Sequence, residues 1–172
     1  MVEHEKTGWV DSVTHAISRI TMLLPAVITA IMFYEVVMRY VFVRPTLWVN
    51  EMSLWLGGTI YLSAGLYAMQ QRGHIRIFIF YDLVPRWLQR VFDTLSVLFI
   101  CLFAGAVVYG GYGEAKAKFL RWETFGTAWD PPIPATMKPL ILITVVLIAI
   151  QAVSNLVHDW NREKVVHTPV DD

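Results

Sequence analysis

The sequence predicts an all-α integral membrane protein of four transmembrane helices, with a short interfacial segment between the second and third. Three observations carry that expectation. Charge is depleted, since 16% of the 172 residues are Asp, Glu, Lys or Arg where a soluble domain carries about 25%. The charges that remain are clustered, leaving 20 uncharged residues between Glu51 and Arg72, 20 between Asp93 and Glu114, and 20 between Lys138 and Asp159. A hydrocarbon core about 30 Å thick needs roughly 20 apolar residues at 1.5 Å each. Finally, six of the seven tryptophans (Trp9, Trp48, Trp87, Trp122, Trp129 and Trp160) fall outside these stretches, where an interfacial belt places them.

The elements follow in order. The N-terminus is mixed in charge and amphipathic, unlike a basic segment followed by an apolar core, so no cleavable signal is expected there. The first span is expected at about residues 17–43. Its uncharged run, Ile20 to Tyr34, is only 15 residues, and apolar residues resume beyond Glu35. Pro45 stops that helix, and Thr46 is placed to cap the next, at about 48–70. An alternating stretch around Gln71–Arg86 reads as interfacial, because a lone strand in a membrane has no partner for its backbone groups. The third span is expected at about 87–113 and the fourth at about 137–158. An outer loop over 114–136, stiffened by prolines and rich in aromatics, joins them, and a polar tail occupies 159–172. All of this forms one membrane domain over 1–172.

Four spans put both termini on one side. That side collects Lys6, Arg19, Arg72, Arg76, Arg86, Arg90, Arg162 and Lys164, against Arg39, Arg44, Lys116, Lys118, Arg121 and Lys138 on the other. The excess of basic residues favours cytoplasmic termini. Lys116 and Lys118 also suit a helical extension of the third span.

Few residues carry chemistry. Glu35 is an acid inside a span, where such groups face protein or water. Arg39 lies four residues on, on the same helix face, which favours an ion pair over a proton relay. His74 sits in a loop between Arg72 and Arg76, and no histidine is mid-span, so axial haem ligation on facing helices has no candidates. Cys101 stands alone, which leaves no disulfide framework. No nucleophile–base set, metal-ligand spacing or phosphate loop is present, so neither enzyme activity nor a cofactor is expected, and net neutrality gives no hint of nucleic acid. Small residues are more informative. Gly57, Ala64 and Ala68, Gly58 and Gly65, and Gly105, Ala106, Gly110, Gly111 and Gly113 lie where helices in lipid pack closely. Most of them are expected to pack this chain's own helices, with a second membrane partner accounting for the rest. Gln151, Ser154 and Asn155 are placed to hydrogen-bond across either kind of interface.

The order of motifs resembles a known family, the small DctQ-type membrane subunit of TRAP (tripartite ATP-independent periplasmic) transporters. The carrying residues are Glu35-x-x-x-Arg39-Tyr40, then Trp48-Val49-Asn50-Glu51, then Gly65 followed by Gln71-Arg72-Gly73-His74-Ile75, and Leu83-Val84-Pro85. They span roughly residues 17–160. Asn50 departs from the family, which often shows two adjacent acids there. The resemblance implies a non-catalytic scaffold in the inner membrane of a bacterium or archaeon. It implies as partners a large elevator-type subunit carrying substrate and sodium, a periplasmic substrate-binding protein, and membrane lipid. The stretch Trp129-Asp130-Pro131-Pro132 looks like a subgroup associated with organic-acid uptake. By the same resemblance, Glu35, Arg39, Tyr40, Trp48, Glu51 and His74 are expected to serve structure or the partner interface. Trp122, Trp129 and Asp130 are expected to contact the binding protein, and no substrate site is expected on this chain. Two other readings stand beside it: a self-sufficient proton-coupled exporter, homo-oligomeric and working through Glu35, and a membrane anchor for a redox enzyme.

Overall fold

A turn before Pro25 and two interhelical loops divide the two described stretches of the chain into five helices. The computed structural model describes residues 9–71 and 85–160, and all its regular structure is helical. These helices are α1 (Trp9–Thr21), α2 (Leu24–Tyr40), α3 (Val49–Gln70), α4 (Arg86–Leu120) and α5 (Ile133–Asp159).

The stretch expected as one span from residue 17 is two helices. Pro25 occupies the first turn of α2 and brings no backbone N–H, so the α1 ladder cannot run through it. The chain turns at Met22 and Leu23, with Met22 N–H bonded to Ser18 O at 2.9 Å and Leu23 N–H to Ile20 O at 3.2 Å. The Thr21 hydroxyl bonds back to the carbonyls of Ile17 and Ser18, both at 3.1 Å. α1 also reaches back to Trp9, well before residue 17.

α1 is amphipathic in an inverted sense. Asp11, Thr14, His15 and Ser18 follow an i, i+3, i+4, i+7 spacing that sets them on one face, and that polar face is the buried one. Trp9, Val13 and Ile20 point outward. A helix that hides its polar side and shows its apolar side to the surroundings matches an apolar solvent.

Length and composition qualify three stretches to cross a membrane: Trp9–Tyr40, Arg86–Leu120 and Ile133–Asp159. α3 has the length, at 22 residues, but Trp55, Gly57, Gly58, Thr59, Tyr61, Ser63, Gly65 and Tyr67 dilute its aliphatic content. By this measure three of the four expected spans qualify among the described residues. The interfacial segment and His74 lie outside the described residues.

The helices pack as an open row rather than a closed bundle. α4 packs principally along α5, α5 also packs on α3, and α3 carries α2 and α1, with α1 touching α5 as well. Exposure follows from that arrangement. Of the 35 residues of α4 only Gln89, Ala104 and Ala115 are buried, and of α2 only Glu35. The α4–α5 loop is shorter than expected because α4 continues past Gly113 to Leu120, carrying Lys116 and Lys118 on its last turns, and α5 begins at Ile133.

Glycines show which faces are in use. A Cβ at Gly58 would meet the Met137 methyl at 2.5 Å, one at Gly111 would meet Leu142 at 3.0 Å, and one at Gly65 would meet Ile148 at 3.8 Å. These three let α3 and α4 close on α5. At Gly57, Gly105, Gly110 and Gly113 an added Cβ would meet nothing within 4 Å. The expectation that most small residues pack this chain's own helices therefore fails for the glycines. An open row simply has fewer internal contacts to fill.

Candidate functional site

The residues singled out from sequence gather at the loop end of the row, where α2 ends, α3 begins and the α4–α5 loop returns. Glu35 is the centre. It is only 4% exposed, and both of its carboxylate oxygens are engaged. Oε1 accepts from Arg39 Nε at 3.0 Å and also from Arg39 Nη2. Oε2 accepts the backbone N–H of Thr46 at 2.9 Å and the Thr46 hydroxyl. A carboxylate offers about four lone-pair sites, and four donors occupy them here. Arg39 is half-exposed, so the pair keeps one foot outside the protein.

The carboxylate thereby fastens the connection between α2 and α3. That connection is strained, because Val43 has φ 53°, a left-handed conformation that a β-branched residue adopts at a cost of roughly 1–2 kcal/mol. Arg44 N–H bonds back to Met38 O at 2.9 Å, Pro45 fixes the next φ, and Thr46 is held by Glu35. Thr46 does not cap α3 as expected. Trp48 is the residue preceding that helix, and no side chain caps it.

Trp48 links three elements. Its ring lies 6.2 Å from that of Tyr34 on α2 and 6.4 Å from that of Trp129 in the α4–α5 loop, both within the range of favourable aromatic contact. The loop has internal order of its own. Asp130, at φ 55°, accepts the Gly126 N–H at 2.8 Å, and Phe125 N–H bonds to Pro131 O at 3.0 Å. Lys118 pairs with Glu123, and Lys138 pairs with Glu114 across α4 and α5.

The structure thus brings Glu35, Arg39, Trp48 and Trp129 together. Glu51 lies one turn into α3, partly buried, and its Oε2 has no hydrogen-bond partner among the described residues. Tyr40 is 76% exposed and apart from the cluster. Trp122 is also exposed and packs edge-on against Phe119 at 6.1 Å, while Asp130 is spent on closing its own turn.

A second polar cluster sits at the opposite end. Gln151 of α5 is fully buried. Its amide donates to Asp11 Oδ1 at 2.6 Å and Asn155 Oδ1 at 2.9 Å, and its carbonyl accepts from the Thr14 hydroxyl at 3.1 Å. Asn155 donates in turn to the carbonyl of Met69 at 2.7 Å. α1, α3 and α5 are joined through two amides. Nearby, Arg86 donates to Gln89 at 3.3 Å and to the carbonyl of Asp159 at 3.2 Å, and the Arg90 guanidinium lies 5.4 Å from the centre of the Trp160 ring. Gln151 and Asn155 stood out in the sequence as interhelical donors. Asp11, Thr14, Gln70 and Gln89 did not, although the polar spacing along α1 was the available signal.

Neither cluster pairs a nucleophile with a base. Among the described residues no group of three His, Cys, Asp or Glu side chains is placed to hold a metal. What both clusters do is fix helices and loops against one another. The family model for tripartite ATP-independent periplasmic transporters, DctQ component, matches residues 28–162. The chain belongs to the DctQ family. This makes it a small membrane component of a TRAP transporter, and its apolar helices suit a multi-pass inner-membrane protein. No curated protein matches the chain. α3, α4, α5 and most of α2 fall within the DctQ match, while α1, with Asp11 and Thr14, lies outside it.

Proposed function

We propose that this chain is the non-catalytic scaffold of a sodium-coupled, binding-protein-dependent TRAP importer of small organic acids, and that it supports a large elevator-type membrane subunit. Its family membership supports the transporter context. The observation that carries the scaffold role is the set of four glycines, Gly57, Gly105, Gly110 and Gly113, whose open sides meet nothing within 4 Å among the described residues. Helices in lipid associate by close packing at small residues, and an open row with unfilled close-packing positions lacks a neighbour.

In this reading all four longer helices cross the membrane and both termini are cytoplasmic. The first span, at about 17–43, combines the end of α1 with α2 across the turn at Met22 and Leu23, and the others run at about 48–70, 87–113 and 137–158. α3 is less apolar than the other three because it is shielded by protein on more than one side. Glu35, Arg39 and Trp48 hold the α2–α3 connection in the shape the partner meets. Tyr40, Glu51 and His74 contribute to that interface, with Glu51 offering its unpaired oxygen to the large subunit. Trp122, Trp129 and Asp130 lie on the loop that receives the binding protein. The saturated carboxylate of Glu35 leaves little for a proton-exchanging exporter to work with.

The test is the composition of the complex. The C-terminally tagged chain, extracted in mild detergent, is expected to retain one much larger membrane polypeptide by native mass spectrometry, and Gly57→Leu or Gly110→Leu to release it. A chain that purifies only with copies of itself would overturn the scaffold reading. For the loop, Trp122→Ala with Trp129→Ala is expected to lower uptake while leaving the membrane complex intact. Unaltered uptake would remove the binding protein from that loop.

A further inference from the structure

One flank of the α4–α5 contact opens into an apolar groove of about 470 Å³. Val108, Tyr112 and Phe119 line it from α4, and Pro139 and Val146 from α5, with Lys116 between Tyr112 and Phe119. From Val108 to Lys116 the helix rises about 12 Å at 1.5 Å per residue, within the ~15 Å depth of one leaflet's hydrocarbon. The stretch below Lys116 therefore has room for most of one acyl chain.

Its upper end has the chemistry of a headgroup site. The Glu114–Lys138 pair, spanning the same two helices, marks where charge begins on the loop side. Lys116 lies just beyond it, exposed, with its ammonium 6.0 Å from the centre of the Tyr112 ring. Lys118 has Glu114 and Glu123, and Lys138 has Glu114, but Lys116 has no carboxylate within salt-bridge distance among the described residues. A cation at that depth, above the deeper part of the groove, complements a phosphate above an acyl chain.

A partner helix is the competing occupant. Helix docking favours small residues at the contact, and Gly105, Gly110 and Gly113 do not line this groove, whereas Tyr112 and Phe119 do. We infer that the α4–α5 groove holds one phospholipid of the loop-side leaflet, its acyl chain between Val108 and Tyr112 and its phosphate on Lys116. Such a lipid would fill the flank that α4 and α5 cannot fill themselves and stay with the protein while the surrounding bilayer exchanges.

Native mass spectrometry of the full chain tests this. The chain is extracted in mild detergent with any polypeptide that stays bound, stripped of lipid, and titrated with dioleoyl phosphatidylglycerol or, in parallel, dioleoylglycerol. The unaltered chain is expected to retain one phosphatidylglycerol in preference to the diacylglycerol. Val146→Trp, at an exposed position in the groove, is expected to abolish retention. Lys116→Gln is expected to weaken it by up to about fivefold, the range of a part-exposed ion pair, and to leave diacylglycerol binding unchanged. Val153→Trp, on α5 outside the lining residues, reports on nonspecific damage and is expected to retain the lipid. Equal retention by Val146→Trp and the unaltered chain would overturn the inference. So would equal retention of the two lipids, or loss of a bound polypeptide from Val146→Trp with the lipid count unchanged, since the occupant would then be a helix.

Discussion

The two polar clusters sit at opposite ends of the same row and are built on opposite principles. At the loop end a charged carboxylate is tied to residues 4 and 11 positions away in sequence. At the other end neutral amides join residues 137, 140 and 86 positions apart. The first shapes one connection. The second holds three helices together. The local cluster therefore tunes a surface, whereas the long-range one is a condition of α1 being in place at all.

Substitutions sharpen that contrast, and the largest effect is expected at Gln151. Gln151→Leu removes three hydrogen bonds and leaves Asp11 and Thr14 buried without them, a loss of roughly 2–3 kcal/mol. By the size scaling of unfolding this lowers the midpoint by about 5–10 °C, readable as thermal aggregation in detergent. Protease sensitivity should rise around α1 and leave the α4–α5 loop unaffected. An unchanged midpoint would mean that α1 is held by its apolar contacts alone.

A smaller and more local effect is expected at the staple. Glu35→Ala frees Thr46 and exposes the strain at Val43, so cleavage within residues 41–48 should quicken several-fold with only a modest fall in the unfolding midpoint. Thr46→Val, which keeps the backbone donor and loses the hydroxyl, should lie between Glu35→Ala and the unaltered chain. If both variants lowered the midpoint as far as Gln151→Leu, the division into local and long-range clusters would be wrong.

The smallest effects separate inner from outer glycines. Gly58→Ala places a methyl against the flexible end of Met137 and is expected to cost under about 1 kcal/mol. Gly57→Ala meets open space and should stay within about 0.5 kcal/mol of the unaltered chain. Association should reverse the order, with Gly57→Ala the more damaging to retention of the large subunit. Equal effects on retention would place the partner on another face.

The sequence spoke clearly about features set by neighbours along the chain. The Glu35/Arg39 pair is legible because four residues bring side chains onto one helix face, and the charge gaps are legible because a bilayer has a fixed thickness. The break at Pro25 carried a signal as well, but a continuous apolar run masked it. Thr46 was misread, since a hydroxyl just before a helix suggests a cap, and only the fold shows that Glu35 claims it first. Asp11, Gln70 and Gln89 were invisible for a different reason. Gln70 and Gln89 bond to their chain neighbours Gln71 and Arg86, so only the packing shows them buried, and the polar spacing along α1 marks one face without saying that it turns inward onto Gln151.

The row arrangement has a mechanical consequence. A round bundle leans equally easily in every direction, because its outline in the bilayer is the same all round. A row of helices is wider along one axis than across it, even with α1 lying against both α3 and α5. Tipping it within its own plane would push the ends of the outer helices into or out of the headgroups on both sides, while swaying across that plane meets far less resistance. Anything attached to such a plate inherits a preferred axis of motion. A protein packed along the face of such a row would be held against tilt in one direction more than in the other.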